Sequence, residues 1–367
     1  MRITLLAENW PPRVGGIENY LTHIADGLAN QQITVIEPSK LTFFWPIIRP
    51  RWLPLYIQLH RKFKTKKPDV LLCGKALFEG LVGYYLKKHL NIPYIIFTYA
   101  MEIETWAQKR STSRKLVRVL KNADRVVYIN EVTKKKLLEL GVTEKQLVKI
   151  WPGVDDQFFE VVPEDTKKAV LQKYAIKQPF ILSVARLIER KGIDHLLEAF
   201  GKIDQTKYAN YQLVIAGEGP FRASLEENIK KEWGNKTVKL LGTVSDAELK
   251  ALYTSCDFFA LTPRNVSGDF EGFGIVYLEA NAAGKAVLAT RTGGAAEAVL
   301  HKQTGIIVKP DSIDAIKEGL EYLLSHLDER NMMAAEGKKR TLNEFVWKKR
   351  ILLVKGMLDA IVAPKLQ

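Results

Sequence analysis

Cysteine is almost absent from this 367-residue chain: Cys73 and Cys256 are the only two, and they lie far apart. A disulfide framework is therefore excluded, and a reducing cytosol fits. No stretch reaches the roughly 18 to 20 uncharged apolar residues that a membrane-crossing helix needs. The apolar start Met1–Ala7 is cut short by Glu8, too soon for a secretory leader, and reads as a first buried strand. Short-period repeats, low-complexity tracts and nucleic-acid motifs are missing as well. What remains is ordinary globular composition, 47% hydrophobic and 26% charged. The length suits two domains, each with its own core.

Charge is uneven. The formal balance is +14, and residues 1–160 hold 25 Lys and Arg against 15 Asp and Glu. Most of the excess thus sits in the first half, which suits an anionic partner. The segment 41–67 is its densest part. It mixes Phe43, Phe44, Trp45, Trp52 and Tyr56 with Arg49, Arg51, Arg61, Lys62, Lys64, Lys66 and Lys67. Aromatic plus basic is the make-up of an interfacial membrane patch. A loop followed by a helix with a basic outer face accounts for it equally well.

Apolar runs of strand length alternate with helical patterns along the whole chain. The first series starts at 3–7, 33–36, 69–73, 94–98, 125–129 and 148–150. A second follows at 180–184, 213–216, 238–241, 257–262, 285–290 and 305–308. Near-continuous apolar strands separated by helices predict doubly wound parallel sheets. The α/β chain is accordingly divided into Rossmann-like domains at 1–160 and 161–345, with Pro152-Gly153-Val154-Asp155 marking the crossing. Gly15-Gly16 opens the first long helix. It is not the dinucleotide fingerprint, and it reads either as a plain tight turn or as a backbone that approaches a phosphate.

Ligands of open parallel sheets bind outside the carboxyl ends of the strands. At those ends the second series carries Arg186 and Lys191 after 180–184, and Gly217-Glu218-Gly219-Pro220 after 213–216. Gly242-Thr243-Val244 follows 238–241, and Thr292-Gly293-Gly294 follows 285–290. After 257–262 comes Asp269-Phe270-Glu271-Gly272-Phe273-Gly274-Ile275-Val276-Tyr277-Leu278-Glu279-Ala280, a strand-to-helix loop with two glutamates eight positions apart. Arg186 and Lys191 together match a diphosphate, one as a fork and one as a point charge. Arg190 reads as a solvated surface charge.

On these residues the chain resembles the retaining GT-B glycosyltransferases of family 4, over nearly its whole length. The E-x7-E pair Glu271 and Glu279, the Arg186 to Lys191 loop and Gly15-Gly16 carry the resemblance, and the wording around Glu271 is nearest to the bacterial phosphatidylinositol mannosyltransferase branch. The resemblance implies two Rossmann-like domains facing across a cleft, with the last helix, from about 346, packing back on the first. It implies a hexosyltransferase that moves a sugar, mannose favoured, from a nucleotide sugar to a lipid-linked or glycan acceptor. Arg186, Lys191 and Glu271 would be the catalytic set. Glu279 would hold the ribose, Gly16, Phe273, Gly274 and Ile275 would offer backbone donors, and Val244 would flank the base. Neither a metal nor a cofactor is implied beyond the donor, GDP-mannose favoured. A cytoplasmic chain with peripheral contact to an anionic membrane follows from the same picture, and nucleic acid does not.

One departure stands out. Many relatives carry a histidine after the fourth strand, where this chain has Thr98-Tyr99-Ala100-Met101-Glu102, so either Tyr99 or Glu102 would take its place or the sugar pocket differs. A UDP-sugar transferase building a surface polysaccharide is the alternative within enzymes. A non-catalytic sugar-nucleotide binder or a GT-B isomerase is the alternative outside that activity.

Overall fold

The structure is a computed structural model that describes residues 1–8, 10–11, 15–38, 50, 52–232, 237–266 and 268–363. It comprises two compact units, Met1–Gly153 with Trp347–Gln367, and Val154–Val346.

The first unit holds β1 (Arg2–Leu6), β2 (Gln32–Ile36), β3 (Val70–Cys73), β4 (Tyr94–Phe97), β5 (Arg125–Tyr128) and β6 (Leu147–Lys149). They form one parallel sheet in the order β2-β1-β3-β4-β5-β6. The apolar runs form strands because both sheet faces are covered by crossover helices: β3 and β4 are buried at every position. Between β4 and β5 lie two helices in succession, Ala100–Gln108 and Arg110–Asn122. In the segment 41–67, residues 41–49 and 51 lie outside the described residues, and that part of the membrane patch with them. From Trp52 to Thr65 a helix buries Leu55, Leu59 and Phe63 and exposes Arg61, Lys62 and Lys64. Pro54 sits in its first turn, where a missing N–H costs no intrahelical bond. No helix among the described residues is long and apolar enough to cross a membrane.

The second unit holds β7 (Phe180–Val184), β8 (Gln212–Ala216), β9 (Val238–Gly242), β10 (Phe258–Leu261), β11 (Val287–Thr290) and β12 (Gly305–Val308). Its parallel sheet runs β12-β11-β10-β7-β8-β9. From β7 the chain winds outward through β8 and β9, then returns to the other side of β7 with β10. Connections on either side of β7 and β10 therefore leave in opposite directions. That topological switch point opens a crevice at the strands' carboxyl ends.

The chain crosses between Gly153 and Val154, within the expected Pro152–Asp155 stretch, so the first unit ends earlier than residue 160. Val154 donates its N–H to the Phe345 carbonyl at 2.7 Å and pairs with Val346. Those contacts assign Asp155–Glu160 to the second unit. On the first unit's side, Gly153 packs against Trp347, which begins the Trp347–Val362 helix. That helix belongs to the first unit, where the Trp347 ring stacks on His23 at 4.4 Å and meets Tyr20 edge-on at 5.6 Å.

Candidate functional site

Three loops of the second unit converge at the β7/β10 switch point. After β7, Ala185–Lys191 ends in a short 3-10 turn, and Gly192 (φ +64) opens the Ile193–Gly201 helix. A Cβ on Gly192 would lie 2.0 Å from the Thr262 carbonyl oxygen. Only glycine allows this approach, and Thr262 Oγ1 donates to the Gly192 carbonyl at 2.9 Å. The cationic loop is thereby fastened to the end of β10. After β10 the chain reaches Glu271, then Gly274 (φ +80) caps the Ile275–Ala282 helix. After β11, Gly293 (φ +48) lets the Gly294 N–H reach the Glu271 carbonyl at 3.0 Å; a Cβ on Gly293 would lie 1.9 Å from that same oxygen.

The centre of the arrangement is ionic. Glu271 is buried, and its Oε2 accepts from Lys191 Nζ at 2.6 Å and from Arg190 Nη1 at 3.1 Å. Burial pushes the Glu271 carboxyl up, but the Lys191 and Arg190 charges and their hydrogen bonds outweigh it and hold the group below its ordinary range. Arg190 Nε lies 3.1 Å from Asp269 Oδ1, so one guanidinium spans two carboxylates. Arg190 is thus not solvated: it keeps 17% of its side chain exposed, because Asp269 and Glu271 draw it inward. Arg186 is exposed and has no ion-pair partner among the described residues.

A brace stands behind the loop. The Arg264 N–H donates to the Arg190 carbonyl at 2.8 Å. The Arg264 guanidinium meets Glu189 and Asp194 at 3.0 Å each and the His195 ring at 2.6 Å. His195 therefore serves this brace.

Glu279 lies in the second turn of the Ile275–Ala282 helix and is partly exposed. Burial pushes its carboxyl up to about 7, against the lowering effect of the Tyr253 hydroxyl, which donates to Oε2 at 2.9 Å. Phe273 is buried against Phe345 at 5.9 Å, Gly274 is buried, and Ile275 and Val244 are partly exposed. A helix start leaves its first backbone N–H groups without intrahelical partners, facing the same crevice.

The Gly217–Gly219 turn at the end of β8 packs against the β7 loop. Cβ atoms there would lie 1.9 Å from the Ala185 carbonyl oxygen and 2.2 Å from that of Leu187. These glycines let the β8 loop press on the β7 loop, and Leu187 donates its N–H to the Glu218 carbonyl at 2.9 Å. They support the cationic loop from behind.

Gly16 belongs to the first unit, at the start of the Gly16–Gly27 helix. It is exposed, with no atom within 4 Å of where a Cβ would sit. Around the first sheet's own switch point, between β1 and β3, Glu79 Oε1 accepts the Glu8 N–H at 2.9 Å, and burial pushes Glu79 up to about 7. Glu102 accepts the Tyr99 N–H at 2.6 Å as a helix cap, and burial pushes it up to about 8. Tyr99 is buried, and its hydroxyl has no hydrogen-bond partner among the described residues. Among the described residues no cluster of three or more His, Cys, Asp or Glu could hold a metal ion.

Arg190, Asp269, Tyr253 and Arg264 are the parts that sequence reasoning left without a role. Asp269 and Arg190 carried a usable signal, each within two residues of a candidate. Tyr253 and Arg264 carried none, since only the fold brings them to Glu279 and the β7 loop.

Comparison with known proteins bears on this geometry. The model described as "Glycosyl transferases group 1" matches residues 166–340, and that described as "Glycosyltransferase Family 4" matches 14–158. The chain is 26% identical over 366 residues to a GDP-mannose-dependent alpha-(1-6)-phosphatidylinositol monomannoside mannosyltransferase of Mycolicibacterium smegmatis, covering 94% of this chain and 95% of that one. It is 28% identical over 367 residues, with the same coverage, to the monoacylated-substrate counterpart of Corynebacterium glutamicum. Among solved structures it is similar to Anabaena Alr3699/HepE in complex with UDP, with TM-score 0.81, 18% identity, and 98% and 100% of the two chains covered. The last likeness speaks for the fold alone.

Proposed function

The chain belongs to the family 4 glycosyltransferases of the GT-B fold, and from that premise we propose that it transfers mannose from GDP-mannose to a lipid-linked or glycan acceptor. The observation that carries this reading is the meeting of Lys191, Glu271 and the Ile275–Ala282 helix start at the β7/β10 switch point. Cations and a helix N-terminus suit a diphosphate. Mannose and GDP are favoured because the two mannosyltransferases described above share nearly the whole chain with it.

In this reading Lys191 and Arg186 bind the diphosphate and stabilise the charge that grows on it as the sugar leaves. Glu271 holds hydroxyls of the transferred sugar. Glu279 accepts from the ribose diol through Oε1, Tyr253 having taken Oε2. Phe273, Gly274 and Ile275 supply backbone donors, and Val244 lies beside the base. The leaving phosphate takes the acceptor's proton on the face where the new bond forms, so the anomeric configuration is kept without a protein nucleophile. The acceptor binds to the basic first unit, whose exposed Arg61, Lys62 and Lys64 also suit an anionic membrane at the cytoplasmic face.

A thermal-shift screen with GDP-, UDP- and ADP-sugars tests the donor, because a ligand raises apparent stability with its affinity. A shift with GDP-mannose above the others is expected. A larger shift with a UDP-sugar would move the reading to the UDP-dependent alternative, which the missing histidine near Tyr99 keeps open.

A further inference from the structure

We propose that Arg190 is the resident counter-ion of Glu271, a positioning residue that keeps this carboxylate paired while Lys191 is shared with, or surrendered to, the diphosphate of the donor. The inference rests on Lys191 being the diphosphate's cation.

The geometry poses a conflict. Lys191 is the cation that a diphosphate needs, yet it is held 2.6 Å from a buried carboxylate. Counted alone, Glu271 and Asp269 balance Lys191 and Arg190. A diphosphate adds at least two negative charges. Exposed Arg186 can meet one, and Lys191 must turn to the other. A buried carboxylate that loses its only partner is strongly disfavoured, so a site with Lys191 alone would resist its own ligand.

Arg190 removes the conflict because of how it is held. Its Nη1 donates to Glu271 Oε2 at 3.1 Å and its Nε lies 3.1 Å from Asp269 Oδ1, an ion pair without a hydrogen bond. Its backbone carbonyl is tied to Arg264, whose side chain is anchored on Glu189 and Asp194. Arginine is a planar fork that bridges two acids, whereas lysine is a point charge on a flexible stem. The fixed cation stays with the acids and the flexible one is free to move. The other groups around Glu271 do not compete for this task. The Tyr277 phenol on the following helix is neutral, burial having pushed its pKa up, and the β11 loop gives the Gly294 N–H to the Glu271 backbone, away from its carboxylate.

The test is calorimetric titration of GDP and of UDP into the full chain, following whichever binds more tightly. Arg190→Gln should weaken binding about 10-fold near neutral pH, because Lys191 is then held by Glu271 alone. The loss should shrink as pH falls and Glu271 is protonated, releasing Lys191. Arg190→Lys should recover part of the affinity, and the double variant Arg190→Gln/Glu271→Gln should return to within about two-fold of the parent, since no acid then holds Lys191 back. A purely structural role would leave the defect independent of pH and unrescued by Glu271→Gln, which would overturn the proposal. If Arg190→Gln does not fold, folding and nucleotide binding by the double variant support the counter-ion role, and failure of both to fold, with Arg190→Lys bound as weakly at every pH, overturns it. Lys191→Ala separates the two readings. It should lose the nucleotide, and if it binds like the parent, the assignment of the site itself has failed. If Lys191→Ala is weak and Arg190→Gln is normal, only the role of Arg190 falls.

Discussion

Tyr253→Phe tests the ribose-binding role of Glu279 through its pH dependence. The Tyr253 hydroxyl donates to Glu279 Oε2 at 2.9 Å, and the carboxyl has been pushed up to about 7 by burial. The ring packs edge-on against Phe158 at 5.7 Å and tilted against Phe259 at 5.7 Å, contacts that phenylalanine keeps. Deleting the hydroxyl therefore removes the hydrogen bond to the charged form and a longer one, 3.4 Å, to the Val276 carbonyl, and keeps the packing. A bond to a charged group is worth about 1.5 to 3 kcal/mol; taking the low end, the pKa rises by about one unit, from near 7 to near 8. Near pH 7 the ionised fraction then falls from about a half to about a tenth, so donor affinity drops about five-fold. Near pH 9 both proteins are almost fully ionised, and the difference should shrink to little more than 10%. The measurement is the dissociation constant of GDP-mannose, or of whichever sugar nucleotide the screen selects, for parent and variant from about pH 6.5 to 9. A ratio that stays constant across this range would mean that the hydroxyl does not act through the charge of Glu279 and that the ionised carboxylate is not what binds the ribose.

Lys191→Ala and Glu271→Ala should each abolish transfer while circular dichroism stays that of the parent; near-parental turnover in either, with the correct donor, would remove that residue from the machinery. Gly16→Ala should leave the melting temperature unchanged, since no atom lies within 4 Å of the added carbon, and should raise the donor KM if the backbone there approaches the sugar nucleotide. Glu79→Gln should stabilise the ligand-free protein at alkaline pH. The native carboxyl, raised from an unfolded value near 4.5 to about 7, adds stability below about pH 4.5 and loses it as pH rises through 7. The gain near pH 8, by urea unfolding, is at most about 3 kcal/mol and should vanish near pH 4; an equal effect at both pH values would contradict it. Binding to anionic vesicles should appear at low salt and fade as salt rises, and no binding at low salt would remove the membrane contact.

The two sheets were legible because parallel strands buried on both faces read as bare apolar runs. Phe180–Val184 and Gly305–Val308 end where the residues said they would. The loops that follow the strands were legible too, since Gly, charge and turn residues cluster there. What sequence could not supply is how those loops are wired together. Gly217, Gly219 and Gly293 look like ligand-binding glycines, yet each is placed where a side chain would strike a neighbouring backbone carbonyl. Their conformational need is internal to the protein, and a linear pattern does not separate that need from a phosphate's. Arg190 failed for the opposite reason. Beside Lys191 on a polar turn it has the pattern of a surface charge, and it becomes part of the centre only because β10 returns beside β7 and brings Asp269 and Glu271, some eighty residues later, against it. Ion pairing between distant segments leaves no periodicity to read. The same return strand places a buried carboxylate beside the lysine that the proposed function assigns to the donor. An enzyme built this way cannot tune one cation without moving the charge balance of the other.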